Sequence, residues 1–299
     1  MFRLKGKRCF HGAILFGLLT IGTNSYGARM AEVVNTRPPD HPVFESAHVP
    51  RIPLPFSESV PFNPPTLDEI PSGPEGDAIR FGHDIIMNTQ THLGSYVGNV
   101  LNCRNCHLAG GRIPHAGPYV GVYSSMPEYR NRSGKVTTLE MRINSCMQRS
   151  LNGRTLPYDS PEMSAMIAYM AWLSKDIPTG VRIPERGFPD INPTRQPNPT
   201  NGKKLFSTKC AMCHGGNGLG TINAPPVWGP ESFNIGAGLA RRGKAAAFIK
   251  KNMPLGLGGT LTDDEAYDLA TFITSQSRPD FPGKIHDWPR GGKPADSPY

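Results

Sequence analysis

Short stretches of helical apolar spacing alternate along this chain with long runs rich in Pro and Gly. Pro74-Glu75 open a helix to about Thr89, with Ile79, Phe81, Ile85 and Ile86 as its apolar set. Thr137-x-x-Glu140 reads as a capping box and Asn152-Gly153 as a stop, which predicts a helix from Thr138 to about Leu151. Ser160-Pro161 start another that ends near Lys175, with Met163, Met166, Ile167, Met170, Ala171 and Leu173 on its apolar positions. A short helix from about Thr200 leads into Cys210, and one from about Leu239 ends at Asn252. Thr262-x-x-Glu265 caps a last one through Phe272 and Ile273 to about Ser275. The pattern predicts a mainly α chain of two modules, residues 73–180 and 200–280, joined by a Pro-rich linker, 181–199. An extended Pro-rich arm, 28–72, precedes them, and a tail, 281–299, wraps the second module or frays.

Composition sharpens this picture. Pro (31) and Gly (33) exceed a fifth of the 299 residues, so the helices are short and loops dominate each module. Residues 1–27 have the build of a secretory signal: basic Arg3, Lys5, Lys7 and Arg8, the apolar run Ala13–Leu19, and small residues Ser25 and Gly27 before a cleavage point. That run is shorter than the roughly 20 residues a membrane span needs. The reading is a periplasmic protein without a membrane span after cleavage. The formal charge of +8 loses four positive charges with the signal and falls to +4, so the basic balance is no argument for nucleic acid.

The chemistry rests on a pentapeptide that occurs twice, Cys103-Arg104-Asn105-Cys106-His107 and Cys210-Ala211-Met212-Cys213-His214. Cys-x-x-Cys-His is the pattern of covalent c-type haem attachment, with two thioethers to the porphyrin and the adjacent His on the iron. Zinc is the rival reading of a Cys-x-x-Cys pair, but zinc does not require His directly after both copies. Each module is therefore expected to be a class I cytochrome c unit, a few helices and long loops around a haem. A shift of 107 residues superposes the two motifs and carries Pro118 onto Pro225. In cytochromes c the carbonyl of such a Pro accepts the ring N–H of the ligating His, so Pro118 and Pro225 are the expected acceptors.

The same shift carries Cys146 onto Met253, each 39 residues past its His. Met253, in Asn252-Met253-Pro254, stands where monohaem cytochromes c place their second axial ligand, with Lys250 and Lys251 as competitors. Cys9 leaves with the signal and four Cys are committed to haems, so Cys146 is the spare thiol. On the predicted 138–151 helix it shares a face with Leu139 and Ile143 and is expected opposite His107. The alternative is a buried free Cys, with Met141, Met147, His83 or His92 as ligand. Arg142 and Arg149 flank Cys146 on that helix, and Arg130 and Arg132 arrive from the loop before it. Singly, each Arg reads as a propionate partner or surface residue; together around one thiol, they suit a small oxyanion.

Tyr129-Arg130-Asn131-Arg132-Ser133-Gly134, followed by Arg142-Ile143-Asn144-Ser145-Cys146-Met147-Gln148-Arg149-Ser150-Leu151-Asn152-Gly153, resembles the dihaem thiosulfate dehydrogenases, periplasmic tetrathionate-forming cytochromes. The resemblance covers both modules, from about residue 70 to 280. It implies a catalytic haem with His107 and Cys146 ligation, thiosulfate and tetrathionate as substrate and product, and Cys146, Arg132, Arg142 and Arg149 as catalytic residues. It also implies a second haem, on His214 and Met253, that passes electrons to a small periplasmic acceptor such as a cytochrome c. Family members differ in using Lys or Met at the second haem, and Asn252-Met253 here favours Met. Three alternatives stay open: a dihaem electron carrier similar to cytochrome c4, a peroxidase-type enzyme, and a haem subunit of a thiosulfate-oxidising multienzyme system.

Overall fold

The computed structural model describes residues 59–181 and 183–299. The signal segment and most of the Pro-rich arm lie outside the described residues. The first module holds helices α1 (Pro74–Met87) and α2 (Thr89–Leu93), a hairpin of β1 (Glu128–Arg130) and β2 (Lys135–Thr137), then α3 (Leu139–Arg149) and α4 (Pro161–Trp172). The second holds α5 (Pro199–Lys209), α6 (Arg242–Asn252) and α7 (Asp263–Thr274). A helical turn, Ala211–His214, carries the second haem motif.

Each module is built on the crossing of its first and last helices, α1 on α4 and α5 on α7. A glycine stands at each crossing. A Cβ on Gly82 would lie 2.0 Å from the Ala165 carbonyl oxygen and 2.9 Å from Tyr169 Cβ; on Gly202 it would lie 2.1 Å from the Asp268 oxygen and 2.9 Å from Phe272 Cβ. No side chain fits either contact, so the helix backbones touch directly. The two glycines are 120 residues apart in sequence rather than 107, because α2 and the loop after it lengthen the approach to the first haem motif.

The first core gathers Ile79, Ile85 and Ile86 from α1, Leu139, Ile143 and Met147 from α3, and Met163, Met166, Tyr169 and Met170 from α4. Phe81, expected among the apolar set of α1, is 37 % exposed and meets the ring of His92 edge-on at its surface. Phe233, Ala237 and Ala240 complete this core, although they belong to the loop that precedes α6 in the second module. The second core is Leu205 and Phe206 of α5, Ala246 and Ile249 of α6, and Leu269, Ala270 and Ile273 of α7.

The caps follow the sequence with one shift. Thr262 and Glu265 form the expected capping box of α7. At α3 the cap is Thr138, whose hydroxyl accepts the Met141 N–H at 3.4 Å, so the expected Thr137 box gives way to a cap one residue later. The linker is stapled to α7: Asn192 N–H donates to Asp263, Thr194 to Asp264, and Arg195 to Asp268. The residues after α7 pack across both modules, with Ile235 N–H donating to the Pro279 carbonyl and Trp288 N–H to the Arg132 carbonyl.

Candidate haem and thiol site

Both haem motifs sit on a tight turn in which the His N–H donates to the carbonyl of the first Cys at 2.9 Å. In the second module His214 Nδ1 donates to the Pro225 carbonyl at 2.8 Å, as the sequence led us to expect. In the first, the acceptor of His107 Nδ1 is the Gly117 carbonyl at 2.5 Å, one residue before the expected Pro118. Gly117 adopts φ +58° and lies so close to the imidazole that a Cβ would be 3.2 Å from Nδ1. Only glycine takes this turn without strain while its backbone lies against the ring. Tyr119 stacks on His107 at 4.4 Å between centroids. Burial pushes the His107 imidazole down to about 4, despite the Gly117 bond. The ring is therefore neutral near pH 7, with its proton on Nδ1 and the Nε2 lone pair free for iron.

These residues fit haem c. Each His is oriented by a carbonyl, and each Cys pair lies on the turn just before it. Burial pushes the thiols of Cys103 and Cys106 up to about 11 and about 12. Among the described residues no three His, Cys, Asp or Glu side chains gather for a metal ion, so the Cys pairs lack the other half of a zinc site.

Cys146 is half-buried on α3, between the core residues Ile143 and Met147. It lies close enough to Cys103, Cys106 and Tyr119 for its charge to raise all three. Arg142, one turn earlier, donates from Nη1 to its sulfur at 3.5 Å. Of the competing ligands, Met147 is 1 % exposed in the core, His92 pairs with Asp84 at 2.7 Å and His83 packs on Tyr169, while Met141 lies half-buried in the first turn of α3.

The sequence grouped Arg132, Arg142 and Arg149 around the thiol, and the structure divides them. Arg142 stays with Cys146 and comes within electrostatic reach of Arg130 and Arg186. Those two share the single carboxylate of Glu128, and Arg142 alone of the three bonds to the sulfur. Arg132 and Arg149 converge instead on Asp287: Arg149 donates to both carboxylate oxygens at 2.7 Å, and Arg132 Nε lies 4.0 Å away. Both also donate to the Gly236 carbonyl. The reason lies far along the chain, since residues 281–299 fold back and supply an anion that local spacing does not reveal. Arg186 was missed because nothing in its Pro-rich surroundings marks it, and Asp287 because it lies in an aperiodic stretch.

The C-terminal end of α3 is closed by the second module. Asn234, 1 % exposed, donates from its backbone N–H to the Arg149 carbonyl at 3.2 Å and from Nδ2 to the Gln148 carbonyl at 2.9 Å. These bonds satisfy carbonyls that a helix end otherwise leaves open.

Met253 caps α6 and packs, half-buried, against the second core. Lys250 is held away from it by the Leu261 carbonyl and by Asp263 at 3.6 Å, while Lys251 points to solvent. Asn252 is buried and donates to the carbonyls of Phe248 and His115.

Comparison with known proteins adds the family. The SoxA/TsdA cytochrome c domain model matches residues 98–179, and the cytochrome c model matches 199–277. A thiosulfate dehydrogenase of Psychrobacter arcticus is 44% identical over 238 residues, which cover 78% of this chain and 73% of that one. One of Allochromatium vinosum is 42% identical over 227 residues, covering 73% and 84%. Among solved structures, thiosulfate dehydrogenase TsdBA from Marichromatium purpuratum superposes with a TM-score of 0.69 at 35% identity, over 74% of this chain and 50% of that one. The chain thus spans about half of that larger protein. At this identity over most of both sequences, the chain belongs to the thiosulfate dehydrogenase family, and its two tandem cytochrome c domains carry two covalently bound haem c groups.

Proposed function

We propose that this protein is a periplasmic enzyme that joins two thiosulfate anions, 2 S2O3²⁻ → S4O6²⁻ + 2 e⁻, at Cys146. The observation that carries the reading is a spare thiol beside the first haem motif, hydrogen-bonded by Arg142, which lies within electrostatic reach of Arg130 and Arg186, two guanidiniums on the one carboxylate of Glu128. Such an excess of positive charge next to a sulfur nucleophile suits a small sulfur oxyanion.

Bound haem c supplies one-electron acceptance, one electron to each of the two groups. The rest falls to the chain. Gly117 fixes the orientation of the His107 ring, and His107 and Cys146 are the residues that would hold the first haem's iron. Arg142, with Arg130 and Arg186, orients thiosulfate with its sulfane sulfur towards Cys146. The thiolate bonds to that sulfur, Cys–S⁻ + S2O3²⁻ → Cys–S–S–SO3⁻ + 2 e⁻. A second thiosulfate then attacks the same sulfur, which releases tetrathionate and restores the thiolate. The two steps run backwards would reduce tetrathionate. Arg132 and Arg149 serve by holding the hairpin and α3 in place. His214 and Met253 would hold the second haem's iron, and that haem would supply the outlet to a small periplasmic acceptor such as a cytochrome c. No helix among the described residues is long and apolar enough to cross a membrane.

The test is thiosulfate-dependent reduction of a one-electron acceptor by purified holoprotein, with tetrathionate identified as product. Cys146→Gly and Cys146→Met should keep both haems attached and lose turnover. Full activity in either variant would overturn the mechanism.

A further inference from the structure

Asp287 lies 141 residues past Cys146 in sequence, yet three separate segments meet on its carboxylate, from α3, the β-hairpin and the end of the chain. Its side chain is 4 % exposed. Arg149, the last residue of α3, forks onto both oxygens at 2.7 Å, with its guanidinium face over Phe281 at 4.1 Å. Tyr299 donates its hydroxyl to the same carboxylate at 2.5 Å. Arg132, from the turn of the β-hairpin, approaches to 4.0 Å and lies over Trp288 at 4.9 Å. Both guanidiniums also bind the Gly236 carbonyl of the loop that caps α3.

We propose that Asp287 is a positioning residue for Cys146: by clamping Arg149 it fixes the rotation of the helix that delivers the thiol. Cys146 and Arg149 are three residues apart and so share one side of α3. Helix Cα atoms lie about 2.3 Å from the axis, and a cysteine sulfur stands roughly twice as far out, so a rotation of about 20° carries it about 1.6 Å. A forked two-bond contact resists that rotation where a single bond would swivel. Backbone bonds to Asn234 hold the end of the helix along its axis, and the Asp287 fork holds it around its axis. The carboxylate has a second effect. It offsets one of the two positive charges that Arg132 and Arg149 bring to the end of α3.

The inference rests on the reading of Cys146 as the first haem's ligand and nucleophile, and its test separates the two. Electron paramagnetic resonance of oxidised wild-type holoprotein should show one low-spin thiolate-ligated species beside the signal of the second haem. Absence of that species counts against the ligand reading, not against Asp287. Asp287→Asn should split the thiolate signal into two or more species, leave the second haem's signal unchanged, and lower kcat by up to about a hundredfold. The rate of Cys146 alkylation should change in the same variant, a readout of thiol placement that holds whether or not the sulfur binds iron. The paired variant Arg149→Met/Asp287→Leu removes both charges and should recover thermal stability. Positioning requires that its thiolate signal and alkylation rate stay altered. A single wild-type-like signal and alkylation rate in Asp287→Asn, or their return in the paired variant, would reduce Asp287 to charge compensation and overturn the proposal. Should Asp287→Asn fail to accumulate, Asp287→Glu keeps the charge, moves it by one methylene, and should give the same heterogeneity.

Discussion

Gly117→Ala tests a feature by which the first haem's mount departs from the second's, a glycine carbonyl where the second uses a proline. In the native chain Gly117 sits at φ +58° with its carbonyl on His107 Nδ1. An alanine there enters the left-handed region, which costs about 1–2 kcal/mol. Its Cβ would also stand 3.2 Å from Nδ1 and 3.3 Å from Cε1, so ring and loop must separate by a few tenths of an ångström. For a protein of this size each kcal/mol lowers the melting temperature by about 2–4 °C, which gives a loss of roughly 2–8 °C. Separation also weakens the bond that makes the imidazole a stronger donor to iron. The first haem's midpoint potential should therefore rise and turnover fall, by about 10–100-fold where such outer bonds are lost. Calorimetry of the holoprotein gives the stability term, and a redox titration that resolves both haems gives the ligand term. The second haem, on His214 and Pro225, serves as internal control. Pro225→Ala keeps its carbonyl and needs no left-handed residue, so it should leave the second haem's potential near wild type. An unchanged melting point together with an unchanged first-haem potential in Gly117→Ala would refute the reasoning.

Arg142→Met should raise KM for thiosulfate and lower kcat/KM about 10–100-fold, the worth of a hydrogen bond to a charged partner, whereas Arg132→Met should reduce stability with little change in KM. Steady-state kinetics beside thermal melts separates these outcomes. Asn144, 3 % exposed, donates to the Leu156 carbonyl at 3.0 Å and accepts its N–H at 2.8 Å. Asn144→Ala should therefore cost about 2–4 kcal/mol in urea unfolding by stranding two backbone groups. Burial alone would raise the carboxyl of Asp268, but bonds from Arg195, the Asn198 N–H and Asn201 outweigh it and hold the group below its ordinary 3.8. A depressed folded value stabilises above pH about 4 and loses that contribution as pH falls through the folded value. Asp268→Asn should thus be less stable than wild type at pH 7, by roughly 2 kcal/mol. The gap should close in acid, as melts from pH 7 to 3 would show.

What the sequence made legible was whatever repeats or has a period. The helices appeared at their apolar spacing, and the 107-residue shift found Pro225 and set Cys146 opposite Met253. The hairpin at 128–137 carries no sequence signal of a buried strand face, because its cross-strand pair of apolar residues, Tyr129 and Val136, is the exposed one, 52 and 59 %. The acceptor for His107 was displaced by one residue because the glycine's backbone turn, rather than the proline, aims the carbonyl. The separation of the arginines was hidden for a different reason. Arg149 and Asp287 are 138 residues apart, and no local rule joins a helix end to an aperiodic stretch that far away.

The loop that carries Phe233, Asn234 and Gly236 bears on how the protein is made. It is translated after the whole first module, yet it fills that module's core and closes the end of the Cys146 helix. The ribosome therefore releases the thiol's half of the molecule first, but that half reaches its final shape only after the second haem motif has followed. A chain stopped between the two motifs would hold a haem mount and a cysteine without the geometry that makes them a site. The helix that carries Cys146 thus takes its closing bonds from chain made after the second haem motif.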